Sequence, residues 1–427
     1  MKGLIFNAKS QSRKAAIMKN QTIPTEIYLS LAPLRLSVFA LIFFAAATIN
    51  AQIAVKGETV WTMAGEPITN GVVLVKNGKI EAVGTAGQIT IPANYQVINA
   101  KVVTPGLIDA HTVIGLNGYL NQPHDQMALD GGGSVQPELR AIDAYNAEER
   151  LIEWVRGFGV TTIHTGHQPS ALISGQTMIA KTIGKNVDEA TIVPVSMIAV
   201  TLGSDANAGA GKSPGSRAKQ AAMLRAELIK ALEASKKTEP QTDLKTAIMI
   251  RVIKREIPLL ITAEASVDIM TALRIAKEFN IKIVLDGVSD GHMLTSEIKA
   301  SGFPVIVHPT MARPGGDREN MSMENASKLR AAGIPVALQS GYEGYVPKTR
   351  VILFEAALAA ANGLSRSEAL ATITTDAAKI LGLDNRIGSI AVGKDADLAM
   401  YDGDPFEYTT HCTGTMINGT VVSTIVR

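Results

Sequence analysis

At 427 residues, with 46% hydrophobic and 19% charged side chains, the chain can bury a large α/β core plus a smaller one, which excludes a disordered or fibrous protein. The formal net charge of +2 is unevenly placed: Lys2, Lys9, Arg13, Lys14, Lys19 and Arg35 stand against Glu26 in the first 51 residues, so the body is mildly acidic and offers no basic surface to nucleic acid. Cys412 is the single cysteine, which excludes an internal disulfide and a Cys-based metal or redox cluster.

The basic lead runs into an apolar stretch, Leu36 to Ala47, then Ile49-Asn50-Ala51. A charged region, a short apolar region and a small residue at the junction read as a signal peptide over 1–51, with a mature chain from near Gln52 exported to the periplasm or beyond. The stretch is short for a membrane span, so no stable span is expected after cleavage; an uncleaved anchor is the alternative.

From 53 to about 102 the pattern is strands. Gly71 to Val75 and Ile80 to Val83 flank Asn77-Gly78, the signature of a tight hairpin. The C-terminus repeats the style, with Asp397 to Tyr401, Thr415 to Ile417 and a second Asn-Gly turn at 418–419. Strands at both ends predict one small β-sandwich from 52–104 and 386–427. Between them, apolar runs at Pro258–Ile261, Ile281–Leu285, Pro304–Val307 and Pro335–Leu338 alternate with helical spacing, the last helix capped by Ser365 or Ser367. Near-continuously apolar strands alternating with helices predict a parallel sheet covered by helices. With further strands near Leu107, Val160 and Ile192 to Val200, a (β/α)8 TIM-type barrel over 105–385 is favoured. No Gly-x-Gly-x-x-Gly opens a helix after a strand, which argues against a dinucleotide-binding sheet. The Gly-rich excursion at 117–147 follows the first barrel strand and is expected over the active face; 213–256 reads as two charged helices.

Val103 to Val113, reading VTPGLIDAHTV, ends an apolar strand in Asp109 and His111. This segment, the NGVVLVKNGKIEAVG hairpin, GFGVTTIHT at 157–165 and TTDAAKILGLDNRIGSIAVGKDADLAMYDGDP at 374–405, in this order, resemble the amidohydrolase superfamily, nearest its imidazolonepropionase-like exported branch. The resemblance implies a barrel with one or two divalent ions such as Zn²⁺, which lower the pKa of bound water and polarise a carbonyl. It also implies the ligand set: two His after the first strand, one His each after the fifth and sixth, and an Asp after the eighth that doubles as general base.

Carried over position by position, that set is broken. His111 is kept, but Val113 stands at the second position. Thr262-Ala263-Glu264 replaces His-Ala-His, Gly287 stands for the sixth-strand His, and Gly341 for the Asp. Shifting one residue to use Asp286 turns the strand's side chains to the other face. The usual binuclear site is therefore expected to be absent. A rebuilt single-ion site from His111, His164, Glu264 and His308 is chemically sensible, the alternative being hydrogen-bonded remnants. Asp109 can orient His111 or simply close its strand. Arg140, Tyr342 and Tyr345 are candidates for binding a small-molecule or peptide ligand, and Glu343 and Lys348 share the latter loop; a surface ion pair is the alternative for Arg140 with Asp143. Lys181 is unplaced; Asp286 joins His111, His164, Glu264 and His308 as polar residues expected at strand ends, with His167 just beyond the second strand, while His124, His292 and His411 read as structural or solvated. Two functions stay open: a hydrolase of C–N bonds in cyclic amides, imidazolones or small peptides, and a catalytically silent exported binding or partner protein. The oligomeric state is also open.

Overall fold

The computed structural model describes residues 52–120, 122–209, 211–238, 241–307, 314–342 and 351–427. The expected signal peptide, and His308, Glu343, Tyr345 and Lys348, lie outside them.

The first four strands, β1 (Ile53–Val60), β2 (Ile68–Lys76), β3 (Lys79–Thr85) and β4 (Gln96–Pro105), join the last three, β15 (Leu398–Tyr401), β16 (Cys412–Ile417) and β17 (Thr420–Ser423). Together they form one seven-stranded sheet in the order β17-β16-β15-β4-β1-β2-β3. Strand alternation explains its two apolar faces: Val55, Val73, Val75 and Met400 pack in one cluster, while Ala54, Val72, Leu74 and Tyr95 pack in the other. Both Asn-Gly turns take positive φ at each central residue, Asn77 52° and Gly78 77°, Asn418 48° and Gly419 75°. That geometry matches the right-handed twist of the strands it joins. Replacing Asn418 by Ala puts a side chain with little tolerance for this region there, and is expected to cost about 1 kcal/mol in urea unfolding.

β4 passes straight into the body through Gly106. A Cβ there would lie 2.3 Å from the Thr161 side chain, so only glycine lets the chain enter at this point. The body strands are β5 (Leu107–Thr112), β6 (Val160–Thr165), β7 (Ile173–Gln176), β8 (Met178–Lys181), β10 (Ile198–Thr201), β11 (Leu259–Ala263), β12 (Ile283–Gly287), β13 (Val305–Val307) and β14 (Val336–Leu338), with the short β9 (Thr191–Val193) beside β8. β10 to β14 pair in parallel in chain order, as do β5 and β6. A parallel bridge from Thr112 to Gly341 brings the first strand beside the last.

One stave departs from the regular pattern. Residues 173–181 are a single extended run interrupted at Thr177; its first half pairs antiparallel with β10 and its second half antiparallel with β6. The barrel thus has a reversed third stave, which apolar periodicity did not reveal because Ser174, Gly175, Gln176 and Thr177 break its pattern.

Helices cover the outside. Ser266–Phe279 buries Ile269, Ala272, Leu273 and Ala276, a stripe at helical spacing, and stops at Asn280 in the left-handed region. Arg366–Thr372 begins with a Ser365–Glu368 capping box. The barrel interior holds Ile108, Ala110, Ile179, Met197, Leu260, Val284, Ile306 and Ala337, packed against Ala377, Ala378 and Leu381 of the helix Thr375–Ile380 and the residue after it. Each such buried aliphatic side chain contributes about 1.5–3 kcal/mol, less for Ala.

Lys181 is placed by a buried ion cluster. Its ammonium pairs with Asp397 and lies 3.3 Å from Asp395, which also takes Lys79 and Arg386. The lysine ties the reversed stave to the segment leading into β15, away from any catalytic group described below.

Candidate active site

Side-chain period two positions the site. Inward-facing Leu260, Val284 and Ala337 are each followed two residues later by a polar residue on the same face: Thr262, Asp286 and Gln339. The strands therefore place a polar layer directly above the apolar one. Asp286 is fully buried and sits at its centre. Its Oδ1 lies 3.0 Å from His111 Nδ1 and accepts from Gln339 Nε2 at 2.7 Å; Oδ2 accepts from the Thr262 hydroxyl at 2.6 Å. Asp286 thus stands at a strand end on the same inward face as Val284.

His111 is also buried, and its Nε2 has no hydrogen-bond partner among the described residues. With Nδ1–H donated to a carboxylate, Nε2 carries the free lone pair. Its ring centroid stands 5.6 Å from that of Tyr342 and 5.9 Å from that of His164. Burial raises the Tyr342 phenol well above its ordinary pKa, so it stays neutral.

The other sequence candidates separate. His164 commits both nitrogens, Nδ1 to Ala110 O and Nε2 to Thr177 Oγ1, each at 2.7 Å. Burial, reinforced by the nearby His111, lowers its pKa to about 3. Glu264 accepts from Ser289 N at 3.1 Å and Ser289 Oγ at 2.7 Å, and faces Arg318 Nη1 at 3.5 Å. Arg140 is half exposed and 3.7 Å from Asp143, on the surface. Asp109 does not orient the His111 ring; its carboxylate accepts from Ser340 N at 3.0 Å and from the Ser340 hydroxyl. His167 is buried, His124 is exposed, and His411 pairs with Asp402 on the surface. Sequence reading named Asp286 as a polar strand end and Thr262 as a lost ligand position, but Gln339 and Arg318 were not selected.

Burial pushes the Asp109 carboxyl up to about 6 against its bonds from Ser340. Between about pH 4 and 6 the folded chain keeps this proton and the unfolded chain releases it, so this contribution to stability falls as pH rises. His164 acts oppositely: the unfolded chain takes a proton below about pH 6.5 that the folded chain refuses down to about 3. Asp109→Asn is expected to remove the first slope. Its urea midpoint should then rise with pH between about 4 and 6.5 more steeply than that of the unaltered protein.

Among the described residues no three His, Cys, Asp or Glu side chains gather as an ion site. Of the described residues, His164 has no nitrogen left for an ion, and Asp286 already takes His, Thr and amide donors, while His308 lies outside them.

A barrel carrying its polar cluster at the strand ends, beside a sheet made from both termini, is an architecture shared with a solved amidohydrolase structure. The sequence profile of the amidohydrolase family matches residues 217–423. Imidazolonepropionase of Brucella anthropi is 25% identical over 396 residues, covering 83% of this chain and 91% of that protein. The imidazolonepropionase of Rhizorhabdus wittichii is 26% identical, covering 80% and 91%. A Thermotoga maritima amidohydrolase structure superposes with a TM-score of 0.83 at 27% identity, over 88% of this chain and all of that one. A zinc-bound adenosine deaminase from Xanthomonas campestris shares the fold, with a TM-score of 0.53 at 15% identity and coverage of 87% and 92%. The matching profile, the full-length relatives and the superposed structure support placing the chain in the amidohydrolase superfamily, with an imidazolonepropionase-like sequence.

Proposed function

We propose that this chain hydrolyses C–N bonds of small cyclic amides, imidazolones or small peptides at the barrel mouth, without the divalent ions its family commonly uses. The observation that carries this reading is the buried His111–Asp286 pair with an unpartnered Nε2. Asp286 holds the tautomer and orientation of the imidazole. Nε2 takes a proton from water as the water oxygen adds to the amide carbonyl, and the proton passes to the departing nitrogen as the C–N bond breaks. Tyr342, neutral beside His111, is a donor for the developing oxyanion.

The test is turnover of cyclic amides, imidazolones and dipeptides by protein purified with and without chelator. Equal rates, lost in His111→Asn, support the proposal. Activity that disappears with a bound ion overturns it. A second reading, a catalytically silent binding protein, is favoured by Val113, Gly287 and Gly341 standing where the family resemblance expects donors. Ligand binding without turnover would establish that reading instead.

We also propose export. The support is the basic lead and apolar run before Gln52. Intact mass of protein recovered from the periplasm or medium should show a start near Gln52; a full-length cytoplasmic chain would refute it.

A further inference from the structure

The rim of the mouth carries a charge pattern that the proposed reaction does not explain. Arg318 lies in the turn Gly316–Arg318 beyond β13 and is partly exposed, with 28% of its side chain reachable by solvent. Its Nη1 is 3.5 Å from Glu264 and 3.8 Å from Asp205, which sits in the turn Ser204–Ala206 beyond β10. Both acids approach the same nitrogen, Nη1, so they neutralise the guanidinium from one side. Another described cation, Arg217, is already bound by Asp268 at 2.8 Å and Asp317 at 2.7 Å. Asp290 adds another acid; one of its oxygens accepts from Ser266 N and Oγ and the other from Asn320. The described rim is therefore acidic overall, and Arg318 is its cation without a close bidentate acid. Below it lie Tyr342 and the unpartnered His111 Nε2.

A divalent ion would give such a mouth strong positive charge and welcome an anionic substrate. His164 and Asp286 are committed to protein partners, and the described guanidinium is balanced by Glu264 and Asp205. A third carboxylate brought there meets net repulsion, whereas a neutral carbonyl oxygen accepts from Arg318 without adding charge.

We propose that Arg318 is the carbonyl-holding cation of this site, and that its ligands are neutral cyclic amides that carry no carboxylate. This rests on the reading of the mouth as an amide site. A neutral ligand places its carbonyl on the guanidinium, and the His111–Asp286 pair meets its other edge. Specificity against acids comes from Glu264 and Asp205 beside the same guanidinium.

The test is calorimetric titration of the full chain, in chelator, with hydantoin and with hydantoin-5-acetate. The two share one ring and differ by a carboxylate. Hydantoin is expected to bind at least about tenfold tighter, with the gap narrowing as salt rises from 0.05 to 0.5 M, as screening predicts. Arg318→Gln, confirmed folded by a cooperative urea transition, should lose at least about tenfold in hydantoin affinity, and Asp205→Asn should raise the affinity for the acetate. Tighter binding of the acetate, or an Arg318→Gln variant that binds hydantoin unchanged, overturns this inference while leaving the amide site standing. Failure of both compounds to bind the unaltered protein removes the amide-site reading, and this inference with it.

Discussion

Asp286→Ala should cost about 3–5 kcal/mol of stability, read as a lower urea midpoint at constant m. The reason lies in how many groups converge on one carboxylate. His111 Nδ1, Gln339 Nε2 and Thr262 Oγ1 all point at Asp286 from three separate strand ends, and none of the four residues is more than 4% exposed. Alanine removes the shared acceptor and strands three donors, each costing about 1–3 kcal/mol when left unmade. Partial repair by water entering the cavity keeps the total below their sum. Asp286→Asn is the more informative change for chemistry. The amide keeps the shape but offers one acceptor where two stood, and a neutral partner no longer favours the tautomer that leaves Nε2 free. Loss of about 10²–10⁴-fold in turnover is expected, with stability falling by less than in the alanine variant. A turnover rate within about threefold of the unaltered protein would remove the pair from the mechanism proposed above.

The contrast between what the chain order reveals and what it hides follows from the range of the forces involved. Both Asn-Gly hairpins, the helix Ser266–Phe279 and the Ser365 cap are local, decided by neighbours within a few residues, and the sequence shows them. The PGLIDAH strand marks the start of the barrel for the same reason. Residues 173–181 are different. Nothing in a strand's own side chains states which way its neighbours run, and here the antiparallel pairings to β6 and β10 belong to partners on either side in the chain. The polar layer is likewise a product of closure. Thr262 and Gln339 are ordinary polar residues until barrel curvature brings them within 3 Å of Asp286. His164 shows the converse: a histidine at a strand end that reads as a ligand, yet both of its nitrogens are met by Ala110 and Thr177.

Gly287 carries the last and sharpest test, because two independent penalties meet there. Its φ is 80°, a region where any residue with a Cβ pays about 1–2 kcal/mol. A Cβ built at this position also falls 2.7 Å from the Glu264 carboxylate. That carboxylate is not free to swing aside, since Ser289 N and Oγ hold one oxygen and Arg318 faces the other. Gly287→Ala is therefore expected to cost about 2–4 kcal/mol, and Gly287→His more. Adding Glu264→Ala should return the steric part and leave the backbone part. In a double-mutant cycle the two changes should then couple by about 1–2 kcal/mol in the favourable sense, while the double variant stays less stable than the unaltered chain. Additive costs would mean that the carboxylate yields freely and the contact is soft. The result bears on metal chemistry as well as stability. A histidine placed at 287 must displace Glu264, and an aspartate at 341 must adopt a φ near 86°, so neither substitution recreates a donor site by itself. The glycine and the glutamate act as a pair: the small residue leaves the space that the carboxylate fills, and Arg318 then faces that carboxylate at the barrel mouth.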